Sequence, residues 1–130
     1  MPPRQTDQGR IRVWIDFVTS SGREFATPSM FEASISLFAR MPVAGDSVDL
    51  NDRMFRVHES CHNLILGYES VDLRGSASVV LRPEQPIEEN ELQFLIELRE
   101  ELGEQLRKAL HQGQIFALDW KPLSQSEYAS

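Results

Sequence analysis

The sequence IRVWIDF at residues 11–17 alternates apolar and other side chains with a period of two. Such alternation is typical of a β-strand that turns one face to the core and the other away from it. Residues 33–40, ASISLFAR, show the same period, with Phe38 and Arg40 on the side opposite the aliphatic set. The two segments predict two strands of one sheet. Between them, residues 28–32 are predicted to form a loop or a single helical turn.

Four further short strands are predicted at residues 48–50, 55–57, 63–69 and 76–82. Turn-forming Gly, Pro, Asn and Asp residues punctuate this region. No helical segment lies between the strands to act as a crossover, so the pattern favours antiparallel pairing and excludes a parallel α/β fold. We therefore expect a small, strongly bent antiparallel β-sheet or SH3-like barrel of about five to seven short strands over residues 10–82.

One turn in this region has a distinctive sequence. Pro42, Gly45, Asp46 and Val48 form the pattern Pro-x-x-Gly-Asp-x-Val, which is followed by a second turn and another strand. The pattern resembles the turn-and-strand unit found in many small bacterial β-barrels. Because Gly relieves backbone strain and Asp caps such turns in unrelated proteins, the resemblance indicates a way of building a turn and identifies no family.

Residues 87–113 follow two prolines and change to the period of a helix. Asn90 is positioned to cap the first turn, with Gln93 three residues later, and Gly113 stands where a left-handed C-terminal residue belongs. One long amphipathic C-terminal helix is therefore predicted, which makes the fold class α+β. Gly103 within it lowers helix stability by about 1 kcal/mol relative to Ala. The apolar residues that recur at intervals of three and four are Leu92, Leu95, Ile96, Leu98, Leu102, Leu106, Ala109 and Leu110.

The 130 residues are expected to form a single domain. Residues 1–9 are predicted to be a disordered N-terminus, residues 114–122 a returning segment and residues 123–130 a frayed tail. The start of the chain lacks the order of a secretory signal, and no apolar stretch approaches the roughly 20 residues that cross a bilayer, so we expect a cytoplasmic protein. The single cysteine, Cys61, excludes an intramolecular disulfide and a four-thiolate zinc site.

The net charge is −7, from 13 basic and 20 acidic residues. Its distribution is uneven, because residues 87–130 hold four basic against nine acidic side chains. A domain with this balance repels phosphate at long range, which argues against nucleic acid and anionic membranes as partners. The charge favours a protein partner with a basic surface instead.

Motifs for catalysis or metal binding are weak. His58, Cys61 and His62 are the one cluster of soft ligands, and their spacing, even with His111, fits no standard zinc pattern. We interpret them as surface histidines around a small buried cysteine, with metal-dependent hydrolysis at His58 and His62 as a third hypothesis. Nucleophile-elbow, zinc-protease and phosphate-loop motifs are missing from the sequence. No catalytic residue, metal or cofactor is therefore predicted, and we do not expect an enzyme.

In composition the chain is similar to small acidic inhibitors, which include immunity proteins and phage-encoded inhibitors of host nucleic-acid machinery. This similarity implies a non-enzymatic binding protein that occludes or bridges a protein partner, as some inhibitors do by presenting carboxylates where a phosphate backbone would lie. Phe94 and Leu98 lie off the main apolar stripe, so the predicted helix also offers a surface for a homodimer. The candidate partner-binding residues are Glu97, Glu100, Glu101 and Glu104 for electrostatic steering, with Trp120 as the anchor.

The alternative function is a small β-barrel that binds single-stranded nucleic acid. Arg12 and Trp14 lie on the strand face opposite the aliphatic set, as do Phe38 and Arg40 on the second predicted strand. If the strands pair, aromatic rings and guanidinium groups come together, a combination on which bases stack. The competing interpretation places the two aromatic residues in a second layer of core, covered by barrel closure or by the helix.

Overall fold

The computed structural model describes residues 9–18, 29–50, 52–66, 73–85, 88 and 92–120. The predicted α+β class is confirmed, with one mixed sheet of six strands and one C-terminal helix in the described residues, and the strand count matches the expected range. The order across the sheet is β3-β4-β5-β1-β2-β6. The elements are β1 (Arg10–Ile15), β2 (Ser29–Ser34), β3 (Ser47–Leu50), β4 (Arg53–Leu66), β5 (Leu73–Pro83), α1 (Leu92–His111) and β6 (Ala117–Asp119).

The sheet is mixed rather than antiparallel, because β1 and β5 pair in parallel from Ile11↔Ala77 to Ile15↔Leu81. The expectation of purely antiparallel pairing is therefore wrong for this central pair. A parallel pair needs a long connection between its strands. Here β2, β3 and β4 lie between β1 and β5 in the chain, so the missing crossover helix did not exclude parallel pairing. The other described pairs are antiparallel.

The described sheet is open and does not close into the SH3-like barrel. Strands β3 and β6 stand at its two ends, and no pairing joins them within the described residues. The predicted strands 55–57 and 63–69 also differ from the structure, because β4 runs continuously from Arg53 to Leu66. A bulge between Val57 and Glu59 marks the place where the sequence indicated a break. Residues 67–69 lie outside the described residues.

The predicted strand at residues 33–40 is wrong beyond its first two residues. β2 ends at Ser34, whose hydroxyl accepts a hydrogen bond from the backbone N–H of Ser36, and a 3-10 helix follows at Ile35–Leu37. A serine hydroxyl that caps the local backbone competes with continuation of the ladder. β2 instead begins at Ser29, so residues 29–32, predicted as a loop or helical turn, belong to the strand.

The core lies on the sheet face that Ile11, Val13 and Ile15 share, which confirms the alternation seen at residues 11–17. Their side chains are completely buried, and Phe17 continues the row beyond the end of β1. Helix α1 packs on the same cluster. The other members are Phe31, Ala33, Phe55, Val57, Ala77, Val79, Leu81, Leu98, Leu102, Ile115 and Trp120.

Helix α1 ends in a left-handed glycine, as predicted. Gly113 has φ 76° and donates its N–H to the carbonyl of Leu110 at 3.1 Å. The chain then returns to the sheet as β6, which pairs antiparallel with β2. The predicted cap Asn90 and the tails at residues 1–8 and 123–130 lie outside the described residues. Within the described part of the chain, no helix is both long and apolar enough to cross a membrane.

Trp120 packs across the middle of α1. Its indole N–H donates to the carbonyl of Arg99 at 3.1 Å, and its ring meets Phe17 edge-on at 6.4 Å between centroids. A Cβ atom added at Gly103 would lie 2.6 Å from Cδ1 of this indole. The helical glycine, which costs about 1 kcal/mol of helix propensity, therefore provides the space in which the indole lies.

We predict that Gly103→Ala destabilises the protein, although the same change in an exposed helix raises stability. The added methyl group meets the indole of Trp120 at a distance that forces the packing to shift, at a cost of about 1–3 kcal/mol. Urea denaturation of the wild type and the variant measures the difference. In a Trp120→Leu background the penalty should shrink, and a stabilised Gly103→Ala variant would contradict the assigned packing.

Candidate functional site

Helix α1 presents a row of four exposed glutamates, called here the acidic face: Glu97, Glu100, Glu101 and Glu104. At 3.6 residues per turn they fall within an arc of about 100° around the helix. The opposite side of α1 carries the buried residues Leu98, Leu102 and Gly103. The apolar side of the helix packs on the core, so the acidic face is turned to solvent.

Glu97 and Glu104 of the acidic face each make a weak contact within the chain. Gln93 donates an amide hydrogen bond to Glu97 at 3.4 Å. Lys108 Nζ lies 3.9 Å from Glu104 Oε1, and both side chains are 71% exposed. An exposed pair at that distance adds little stability. The described helix thus carries a negative surface that Lys108 and its basic neighbours at the C-terminal end only partly offset.

An aromatic residue lies one helical turn before the acidic face. Phe94 is 39% exposed, and the guanidinium carbon of Arg53 stands 4.3 Å from the centroid of its ring. Met54, also exposed, follows Arg53 on β4. Phe94 shares a helix face with Glu97 and Glu101 because residues three and seven apart are aligned. The sequence singled out Phe94 only as a dimer contact, and no local signal could pair it with Arg53, which is remote in the chain.

Trp120, predicted to anchor the partner, is buried in the core. Only 9% of the residue is exposed, and its polar N–H already has the carbonyl of Arg99 as its acceptor. A side chain in this position is not available to a partner without opening the core. The sequence signal for the core role of Trp120 is Gly103, because a glycine within a helix can mark a place where another group packs closely against the helix backbone.

The four residues of the alternative nucleic-acid surface do not form one surface. Arg12 and Trp14 face away from the core, with Arg12 exposed and Trp14 half-buried. Phe38 instead packs against the core cluster on the other face of the sheet, and Arg40 bonds to Asp46. The early end of β2 explains the separation, because the chain leaves the sheet before it reaches Phe38.

Arg40 and Asp46 close the turn that the sequence pattern predicted. The guanidinium of Arg40 donates to Asp46 at 2.8 Å, and the N–H of Val43 donates to the other carboxylate oxygen at 3.0 Å. These two hydrogen bonds, that of Arg40 first, hold the pKa of Asp46 below its usual value. Gly45 adopts φ 97° within the same turn, a conformation that glycine tolerates without strain.

The structure exposes all three residues of the soft-ligand cluster, His58, Cys61 and His62. The expectation of a buried Cys61 is wrong. The bulge in β4 adds a residue, so Ser60 rather than Cys61 is opposite the buried Val79 and faces the core side. Among the described residues, no group of three or more His, Cys, Asp or Glu side chains is arranged to hold a metal ion.

Comparisons of the chain with protein-family models, with curated proteins and with solved structures found no match. Function must therefore be inferred from the geometry and charge of the chain itself.

We predict that Asp46→Asn weakens the turn and changes how stability depends on pH. A carboxylate with a lowered pKa stabilises the fold above its unfolded pKa of about 4, and this contribution is lost as the pH falls through its folded pKa. The difference in free energy of unfolding between wild type and variant should therefore be constant near neutral pH and shrink below about pH 4.

Urea denaturation at a series of pH values measures this difference. Asp49→Asn, an exposed change of the same charge on neighbouring β3, is the control. A difference for Asp46→Asn that stays the same down to the lowest pH would contradict the role given to the carboxylate.

Proposed function

We propose that this protein is a non-enzymatic, cytoplasmic binding protein that occludes or bridges a protein partner with a basic surface. The observation that carries the proposal is the acidic face of α1, four exposed glutamates on a helix whose other side is fixed in the core. An inhibitor, immunity or anti-defence role of a bacterial or phage protein fits this arrangement.

The negative charge of the acidic face indicates the kind of partner that we propose. With a net charge of −7, the protein attracts basic surfaces at long range, and a row of carboxylates on one helix focuses this attraction. The helix is held on the core before binding, so little ordering is needed when the partner docks. The basic surface of a nucleic-acid-binding protein is a suitable target, because carboxylates then occupy the place of phosphates.

Phe94 replaces Trp120 as the proposed apolar contact. Aromatic residues, Phe among them, are enriched in protein interfaces relative to the rest of the protein surface. Phe94 lies at one end of the acidic face, where the guanidinium of Arg53 stacks on its ring. A partner that reaches both Phe94 and Glu97 would combine apolar burial with charge attraction within one patch.

A homodimer through α1 stays a prediction with less support. Phe94 and Leu110 are exposed on this helix, but their spacing places them on different sides of it and they form no single apolar stripe. The nucleic-acid alternative has no observation in its favour, since Trp14 and Phe38 lie on opposite faces of the sheet.

The partner can be identified by affinity capture from the lysate of the native host with tagged protein, with and without nuclease. A stoichiometric protein that remains after nuclease treatment supports the proposal. Nucleic acid as the captured species would overturn it in favour of the alternative. A variant with glutamine at the four positions of the acidic face should lose the protein partner in the same experiment.

We predict that neutralising the acidic face slows association with the captured partner. Replacing Glu97, Glu100, Glu101 and Glu104 by Gln should lower the on-rate at low salt by roughly tenfold or more, because electrostatic steering raises such rates by about 10–1,000-fold. The effect should fade as salt increases. Surface plasmon resonance over a range of salt concentrations measures it.

The matched control removes four acidic charges elsewhere on the exposed surface, by changing Asp49, Asp52 and Asp119 to Asn and Glu88 to Gln. This variant has the same net charge as the acidic-face variant and should keep most of the on-rate. Equal slowing of both variants would show that net charge alone acts, and an unchanged on-rate at low salt would refute the role of the acidic face.

A further inference from the structure

The hairpin of β4 and β5 extends beyond the rest of the described sheet. β5 pairs with β1 only from Ala77 to Leu81, whereas its pairing with β4 continues to Leu66↔Leu73. The end of the hairpin is therefore a two-stranded ribbon in the described residues. A two-stranded ribbon is at best marginally stable in water without a further strand or a packed element.

One side of β4 has no partner strand among the described residues along most of its length. β3 pairs with β4 only up to Arg56, and Val57 makes the last backbone hydrogen bonds on that side, with Gly45 and Asp46. Along residues 58–66, the described backbone hydrogen bonds of β4 go to β5 alone. Alternate residues of an antiparallel strand direct N–H and C=O groups away from the neighbour they pair with. These groups form an open edge, called here the β4 edge.

Two of the features that protect strand edges, a bulge and a charged side chain, occur in the β4 edge only at its start, between Val57 and Glu59. Its sequence, HESCHNLIL, contains no Lys and no Pro, the residues that commonly block such pairing. Leu64 is 70% exposed on this strand, beside a shallow groove of about 190 Å³ lined by Ile35, Met41 and His62. The edge thus offers a backbone template together with an exposed apolar side chain.

We propose that the β4 edge pairs antiparallel with the same edge of a second copy of this chain. The other terminal strands of the described sheet are short, with four residues in β3 and three in β6. Among the described strands, only the identical segment of another copy offers an unpaired edge of equal length. A two-fold axis satisfies both edges at once and leaves neither open, so assembly stops at the dimer.

The face alternation of β4 restricts the register. Residues that oppose each other across the two-fold axis must lie on the same face of the joined sheet, so their numbers differ by an even number. One residue therefore lies on the axis itself. With His62 on the axis, residues 58–66 of the two copies overlap completely. Ser60 then opposes Leu64 of the second copy, so Leu64 becomes covered. The two Glu59 side chains lie at opposite ends of the paired segment, so no carboxylate faces its symmetry mate.

Single-cysteine variants test this register. In a Cys61→Ser background, which removes the only cysteine, the changes Ser60→Cys, His62→Cys and Leu64→Cys each add one thiol. Opposed residues have Cβ atoms about 4.5–5.5 Å apart, close enough for a disulfide with small adjustment, and diagonal ones about 7–8 Å. Mild oxidation should therefore link His62→Cys fastest and native Cys61 slowly, with little linkage at positions 60 and 64, as read on non-reducing gels.

Lysines on the edge test the dimer itself. His62→Lys with Leu64→Lys places like charges across the axis and removes the apolar contact, so light scattering after size exclusion should show a monomer where the wild type is a dimer. The control, Gln105→Lys with Gln112→Lys, adds two lysines at exposed positions outside the β4 edge and should stay dimeric. Circular dichroism verifies that each variant is folded.

Three results would overturn the proposal: a wild-type monomer at every soluble concentration, a dimer that survives both edge lysines, or cross-linking with no maximum at position 62. A dimer that the control lysines at positions 105 and 112 disrupt instead would place the interface around the C-terminal half of α1.

Discussion

The contact between Trp120 and the backbone of α1 at Gly103 determines how the helix lies on the sheet. Trp120 follows β6, which is paired with β2, so its indole joins the C-terminal strand to the middle of the helix. Phe17, at the end of β1, meets the same indole edge-on. Three separate parts of the chain therefore meet at this indole, and only a residue without a side chain at position 103 allows the indole to approach the helix so closely.

The same contact fixes which side of α1 faces the solvent. Arg99, one turn before Gly103, is only 3% exposed, and its guanidinium donates to the hydroxyl of Ser29 at 2.8 Å. A buried guanidinium is costly unless it is hydrogen-bonded, so rotating the helix would break this contact as well as that of Trp120. The acidic face is consequently held in one orientation. The exposed glutamates form one surface because the opposite side of the helix is packed on the core.

The sequence predicted those parts of the fold that depend on local periodicity. The alternation at residues 11–17 identified the central strand and its buried face, and the three-and-four spacing identified α1 and its left-handed end at Gly113. Each of these signals depends on neighbours in the chain. The exposure of the acidic face follows from the same helical spacing and could be inferred without a structure.

The features that the sequence did not predict depend on contacts between distant residues or on single-residue shifts. One extra residue in the bulge of β4 reverses the facing of Cys61, and the hydroxyl of Ser34 ends a strand whose alternation continues. The parallel pairing of β1 with β5 is a choice of topology that leaves no local pattern. Trp120 is of a residue type that often anchors a binding partner, and only its position against Gly103 shows that it belongs to the core.

The acidic face and the β4 edge are independent surfaces, since no described hydrogen bond or ion pair joins residues 58–66 to α1. A two-fold dimer through the β4 edge uses no residue of the acidic face of either copy. Such a dimer presents two identical negative surfaces in a fixed geometry. A partner with two basic sites at matching separation would then gain avidity without any new contact, because the second binding event becomes intramolecular. Dimerisation would in this way select partners by the spacing of their basic sites as well as by their charge.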